Sequence, residues 1–179
     1  DGNFIFERNE PEAFLNAEPD AQSFIHPYVG SEEFIDGGER WILALQDAAP
    51  EDIRKMPRVL ERVRAVREFR LASKSAPTRA LAETPTKYHV NVIPRFPYIA
   101  IPKASSERRH YVPIGWLTPP TIPSDLVFVL EKDDLFTFGI LTSAMHMAWL
   151  RNIGGRLESR YRYSIGIVYN TFPWPEASD

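Results

Sequence analysis

The chain has no cysteine, which removes a disulfide framework, a thiolate zinc site and a cysteine nucleophile together. A reduced, intracellular setting fits. Histidine is scarce, at positions 26, 89, 110 and 146, with no pair at i,i+4, so a metal centre is not expected. His146 sits between Met145 and Met147 in an apolar helical stretch, where a satisfied core or interface role is the commoner one. Gly-x-Ser-x-Gly, Walker and Gly-x-Gly-x-x-Gly patterns are all missing. Glu32-Glu33 and Asp133-Asp134 are adjacent rather than opposed, the habit of solvated turns. No apolar run approaches the roughly 20 residues that cross a bilayer, and no cationic segment followed by an apolar one opens the chain. These absences leave binding features and no reaction centre.

What is present is ordinary globular material. The 179 residues, 44% hydrophobic and 25% charged, suffice for one core or for one domain plus an appendage. The chain begins on Asp1-Gly2 without Met and stops four residues past Pro175, as expected of a piece excised from something larger. Its net charge of -3 is unevenly spread. Residues 1–50 hold two Lys or Arg against eleven acids, residues 51–110 fourteen against six, and residues 111–179 five against seven. A positive middle third can dock a polyanion whatever the total charge. It can equally be cancelled by the acidic first third, and at this level the two readings weigh the same.

Period and punctuation predict an α+β fold of mixed, mostly antiparallel short strands, with one long basic helix and a C-terminal helical segment. Phe4-Ile5-Phe6 reads as a strand, Glu10 to Leu15 as a brief helix begun by Pro11, and Phe24 to Gly38 as turns and short elements. Glu39 to Leu45 reads as a strand interior to a sheet. From Pro50 a 3.6-residue period sets in. Ile53, Met56, Val59 or Leu60, Val63, Val66 and Phe69 form an apolar stripe, and Arg54, Arg58 and Arg62, then Arg64, Arg67, Arg70 and Lys74, run beside it. Pro57 is tolerable there only in a first turn. Glu61 and Glu68 are the only acids between Ile53 and Lys74, too few to neutralise the row by i,i+4 pairing. Thr78 to Glu83 is a short segment between breaks, Tyr88 to Ile93 and Tyr98 to Ile101 are strands, and Leu117 to Pro123 is a proline-dense connector. Leu126 to Leu130 is a buried strand. Leu135 to Ile153 reads as one helix packing through Leu141, Met145 and Trp149, ended by Gly154-Gly155. Tyr163 to Tyr169 then reads as a strand. The domain boundary is expected at 135/136, with 1–135 the main domain and 136–179 a helical segment packed on it.

The stretch from Ile99 to Gly115 organises the rest. An apolar strand end closed by Pro102 runs into Lys103, Ser105, Ser106, Glu107, Arg108, Arg109 and His110. Hydroxyls, an imidazole, a carboxylate and cations packed so closely are the groups that touch phosphates and base edges. Taken alone, the stretch favours the blander reading, a solvated hairpin loop whose charges pair among themselves.

Five strings together carry a resemblance: FIHPYVGSEEFIDGGERWIL (Phe24 to Leu43), RVRAVREFRLASKSAPTRALAETP (Arg62 to Pro85), SSERRHYVPIGWL (Ser105 to Leu117), FGILTSAMHMAWLR (Phe138 to Arg151) and GRLESRYRYSIGIVYNTFPWP (Gly155 to Pro175). In this order, over nearly the whole chain, they resemble the target recognition domain and following segment of single-chain restriction-modification DNA methyltransferases of the MmeI kind. The resemblance implies absent N-terminal parts carrying a nuclease, a helical connector and a methyltransferase core. That core would use S-adenosylmethionine to methylate adenine N6, with Mg2+ for cleavage. The family's cofactor loop and its Asn-Pro-Pro-aromatic motif do not occur in this sequence, so the fragment itself is expected to hold no cofactor and no catalytic residue. It also implies double-stranded DNA and the parent's methyltransferase core as partners, no membrane, and a cytoplasmic bacterial or archaeal setting. On this reading Arg64, Arg67, Arg70, Lys74 and Arg79 are assigned to phosphates. Lys87, Arg95, Lys103, Ser105, Ser106, Glu107, Arg108, Arg109 and His110 are the base-reading candidates. One of Arg108 and Arg109 is expected to pair with Glu107 or another carboxylate instead. Arg156, Arg160 and Arg162 are left to DNA or to the catalytic core. The cations from Ile53 to His110 are expected to share one unneutralised surface. The rivals are a protein-protein adaptor using the basic helix and the aromatic tail from Tyr163 to Trp174, and an enzyme completed by another chain.

Overall fold

Short strands alternate with helices much as the sequence leads one to expect. The computed structural model describes residues 2–88, 93–132 and 134–176. In chain order these hold β1 (Ile5–Glu7), α1 (Glu10–Ala17), β2 (Ile25–Val29), α2 (Ser31–Asp36), β3 (Arg40–Leu43), α3 (Pro50–Lys55), α4 (Pro57–Leu71) and α5 (Ala76–Ala80). There follow β4 (Tyr98–Pro102), β5 (Ala104–Ser105), β6 (Gly115–Leu117), β7 (Ile122–Pro123), β8 (Val127–Leu130), α6 (Leu135–Leu141), α7 (Ala144–Ile153), β9 (Gly155–Leu157) and β10 (Arg160–Arg162). The chain divides into two compact units, one of residues 1–28 and 39–92, the other of residues 29–38 and 93–179. The compact units therefore do not divide at 135/136. Residues 136–179 belong to the same unit as 93–135.

In the first unit β3 lies between β1 and β2, antiparallel to both, with Ile42 opposite Ile5 on one side and His26 on the other. This is the interior strand that the apolar run from Trp41 predicts. Phe4, Phe6, Leu43, Leu45, Met56, Val59 and Val66 are buried. The helical period from Pro50 is met by two helices, because Pro57 has no N–H to continue α3 and its fixed φ suits a first turn. The carboxylate of buried Glu18 accepts from the backbone N–H of Arg58 at 2.9 Å, satisfying a first-turn donor of α4. The expected stripe holds as far as Val66, but Phe69 is 59% exposed and the next inward position is Arg70. Most of the strand expected over Tyr88 to Ile93 falls on 89–92, outside the described residues.

In the second unit β4 is the central strand of β6-β4-β8, antiparallel to both and buried along its length. Pro102 pairs with Val127 as the last rung, where no further N–H is required of it. A second sheet, β5-β10-β9, sets Ser105 opposite Tyr161 and joins β9 to β10 through the two-residue turn Glu158-Ser159. Glu158 takes the left-handed backbone that such a turn requires, with φ at 58°. The helix expected over 135–153 is broken in two. Asp134 caps α6 by accepting from Thr137 N–H at 2.6 Å, and Ser143 caps α7 by accepting from His146 N–H at 3.1 Å. The restart rotates the buried face: Leu141, His146, Met147 and Leu150 are inside, whereas Met145 is 64% exposed and Trp149 only half-buried. Residues 165–169 form a π-helical turn rather than a strand, and Val168 is its buried member.

His146 is the buried base of this unit. Its Nε2 lies 2.9 Å from the Tyr163 hydroxyl and its ring 4.7 Å from that of Phe172. With aromatic neighbours and no carboxylate partner among the described residues, burial lowers its pKa to about 4 and raises that of Tyr163. The ring is buried as the sequence reading has it, but only half satisfied, since Nδ1 has no hydrogen-bond partner among the described residues.

Candidate nucleic-acid interface

Two groups of cations are displayed, one on each unit. On α4 the row of arginines separates into working classes. Arg62 donates to the carbonyl oxygen of Asn3, and its guanidinium lies 4.0 Å from the Phe6 ring centre. Arg70 is 1% exposed. Its guanidinium donates to the carbonyl oxygens of Leu81 at 2.9 Å, Thr84 at 3.1 Å and Lys87 at 2.9 Å. A charge so enclosed cannot reach a phosphate, and Arg70 leaves the phosphate set. Arg79 is exposed but donates to the carbonyls of Ser73 and Lys74 at 2.8 and 3.0 Å, in the turn between α4 and α5. Arg58 pairs with Glu61 and Lys55 with Asp52. Arg64, Arg67 and Lys74 remain exposed, with no ion pair among the described residues.

On the second unit the pairing of β5 with β10 places the loop 106–111 beside the β9–β10 hairpin. The contacts there are specific. Glu107 is held below the usual carboxylate range by its own backbone amide first, then by the Ser159 hydroxyl and by Arg108 and Arg156. Hydrogen bonding from Arg151, then Arg156, pulls the Tyr161 hydroxyl below its ordinary pKa, and the Arg156 guanidinium lies 4.0 Å from the Tyr161 ring centre. Arg151 also donates to the His110 carbonyl at 2.9 Å, and Arg160 pairs with Glu158 at 3.0 Å across the hairpin turn. Arg109 reaches Asp36 at 3.6 Å, while Arg108 stands 4.0 Å from Glu107 with its side chain 91% exposed. Both arginines thus have a carboxylate within reach, and Arg108 is the freer.

Ser105 is 4% exposed, inside β5, with no hydrogen-bond partner for its hydroxyl among the described residues. Its burial beside β10 removes it from the base-reading set. Ser106 accepts from the Arg108 backbone N–H at 3.2 Å and shapes the loop. Lys103 rests its ammonium 4.7 Å from the Phe128 ring centre. Arg95 and His110 are exposed on the second unit and Lys87 on the first. Arg151, Ser159 and Tyr161 were not singled out from the sequence. The β5–β10 pairing brings Ser159 and Tyr161 to the loop from more than fifty positions away, and Arg151 reaches it from α7, 41 positions beyond His110, so none of the three has a local signal. The expectation of one continuous unneutralised row is corrected within α4 itself, where Arg62 and Arg70 serve the fold. Both units offer exposed guanidinium donors; on α4 they stand beside the exposed carboxylates of Glu61 and Glu68, and in the loop and hairpin they are interleaved with Glu107, Ser159 and Tyr161. Among the described residues no helix is long and apolar enough to cross a membrane.

In the second unit, short antiparallel sheets thus bring a polar loop and a cationic hairpin together. The family model described as "MmeI, target recognition domain" matches residues 1–176. The chain belongs to the MmeI target recognition domain family. It is 38% identical over 177 residues to DNA methyltransferase A of Bacillus subtilis (strain 168), a match covering 99% of this chain and 20% of that protein. The solved structure of the Type IIL restriction-modification enzyme MmeI in complex with DNA superposes with a TM-score of 0.97 at 44% identity, over 99% of this chain and 24% of the other. The chain therefore spans about a fifth to a quarter of the length of these relatives.

Proposed function

We propose that this chain is the duplex-reading module of a longer restriction-modification methyltransferase. It grips DNA and fixes the register while the parent's catalytic core, using S-adenosylmethionine, methylates adenine at N6. A base reached by such chemistry must leave the stack at a cost of a few kcal/mol, and a separate domain that holds the neighbouring pairs makes that step productive. The observation that carries the reading is the near-complete superposition on a relative whose solved structure contains DNA. The loop-hairpin cluster supports it chemically: Arg108 offers two-pronged donation to a purine edge, and Glu107 offers an acceptor for a cytosine amine. Arg64, Arg67 and Lys74 supply sequence-blind contacts to phosphates. Cleavage by the parent, with Mg2+, and a cytoplasmic setting belong to the same proposal.

Methylation mapping on the full-length parent tests it. Single substitutions of Glu107 or Arg108 should alter which sequences are methylated while leaving turnover on an accepted site near its original value. Loss of methylation on every sequence alike, with unchanged preference among the residual sites, overturns the reader assignment.

A further inference from the structure

The α6 helix, LFTFGIL, contains no charged residue. One side of it buries Thr137 and Leu141. The other leaves Leu135 79% and Phe136 47% exposed, with Met145 of α7 64% exposed alongside. These three, with Gly139, Ile140 and Phe172, line an open groove of about 430 Å³. A helix apolar on all sides is ordinarily covered on all sides, and contiguous exposed apolar surface marks a contact site. The groove suits neither a small polar ligand nor DNA. Its one polar lining side chain is Ser143, whose Oγ already accepts from the His146 N–H, so no directional group is left to orient a ligand. No Lys or Arg lines it, and the exposed residue that precedes α6 is the acidic Asp134.

We propose that this groove seats another region of the same longer polypeptide, one presenting leucine- or phenylalanine-sized side chains from the apolar face of an amphipathic helix. The inference rests on the reading of this chain as a module of a larger protein. Its relatives are four to five times as long, matching it over 20% and 24% of their lengths, so most of such a polypeptide lies outside these residues. Covalent attachment supplies the high local concentration that lets a shallow apolar groove be occupied continuously.

Replacing Met145 by the photo-crosslinker p-benzoylphenylalanine in the full-length parent, and irradiating without DNA, tests the assignment. The expected product is a crosslink within one polypeptide to a residue outside 1–179, identified by peptide mass spectrometry. A crosslinked band of doubled mass that fades on dilution would assign the groove to a second copy and overturn the proposal. Crosslinks confined to residues 1–179, or none, would also overturn it. In parallel, Ile140→Glu and Met145→Glu should each raise hydrogen exchange across 135–153 in the parent by roughly tenfold or more, since each forces a carboxylate into apolar packing. Unchanged exchange in both variants sinks the idea. Salt-dependent duplex binding by the unsubstituted parent reports separately on the functional reading.

Discussion

The α4 helix and the loop-hairpin cluster of the second unit are both rich in arginine, yet they use it in opposite ways. On α4 the side chains project from one rigid rod at fixed angles. Those facing inward, Arg62 and Arg70, are consumed by backbone carbonyls, and those facing outward, Arg64 and Arg67, are left with solvent. In the cluster the cations come from a loop, a hairpin and the end of α7, and are interleaved with Glu107, Ser159 and Tyr161. A bare row of charges can track a phosphate backbone without regard to sequence. A surface that mixes donors and acceptors at set positions can discriminate. The difference is one of composition around the arginines rather than of their number.

The largest test of this contrast is Arg70→Ala. It leaves three enclosed carbonyls without a donor and should cost about 3–5 kcal/mol of stability, read as a lower urea midpoint. Arg70→Lys should recover only part of that loss, because one ammonium cannot span three acceptors. A wild-type midpoint in the alanine variant would return Arg70 to the surface row.

Acid gives the next effect, through the buried base of the other unit. His146 titrates at about 4 in the fold against an ordinary value of 6.5. As pH falls from 6.5 towards 4 the unfolded chain takes up a proton that the folded chain refuses, so stability drops, by about 3 kcal/mol in full, and levels off below pH 4. Urea titrations at stepped pH should show this slope, and His146→Gln should remove the His146 share of it.

Smaller changes address the two surfaces themselves. Arg108→Ala should alter discrimination at one base position by about 1–3 kcal/mol, measured as relative methylation across randomised duplexes by the parent. Arg64→Ala or Arg67→Ala should weaken every duplex alike and lower the log-log salt slope by about 0.9 for each phosphate no longer neutralised. If the α4 variants shifted preference while the loop variants weakened all duplexes equally, the comparison would be inverted.

Much of the fold was legible because local chemistry dictates it. Pro57 could only begin a helix, the run from Trp41 to Leu45 suited an interior strand, and Ile99 to Ile101 gave the buried strand β4. Arg70 was misread because residue type suggests solvent while its helical position, in line with Val59, Val63 and Val66, points inward. Position won, since loop carbonyls were there to receive the guanidinium. The single helix from Leu135 to Ile153 was misread because Ser143 can lie within a helix or cap one, and periodicity does not choose between the two. Of the candidate site, the loop from Ser106 to His110 was visible in the sequence. Its companions on the hairpin and α7 were visible only in part, because distant strand pairing is settled by tertiary packing.

The β5–β10 ladder has a practical corollary for anyone wishing to redirect such a protein. Two stretches that a gene separates by some fifty codons meet at one seam, where the Ser159 hydroxyl and the charge of Arg156 both favour the Glu107 carboxylate. A graft of residues 106–110 alone would therefore arrive without its neighbours. The natural unit of exchange is the matched pair, 103–111 together with 155–162, moved as one cassette on the unchanged strand β4.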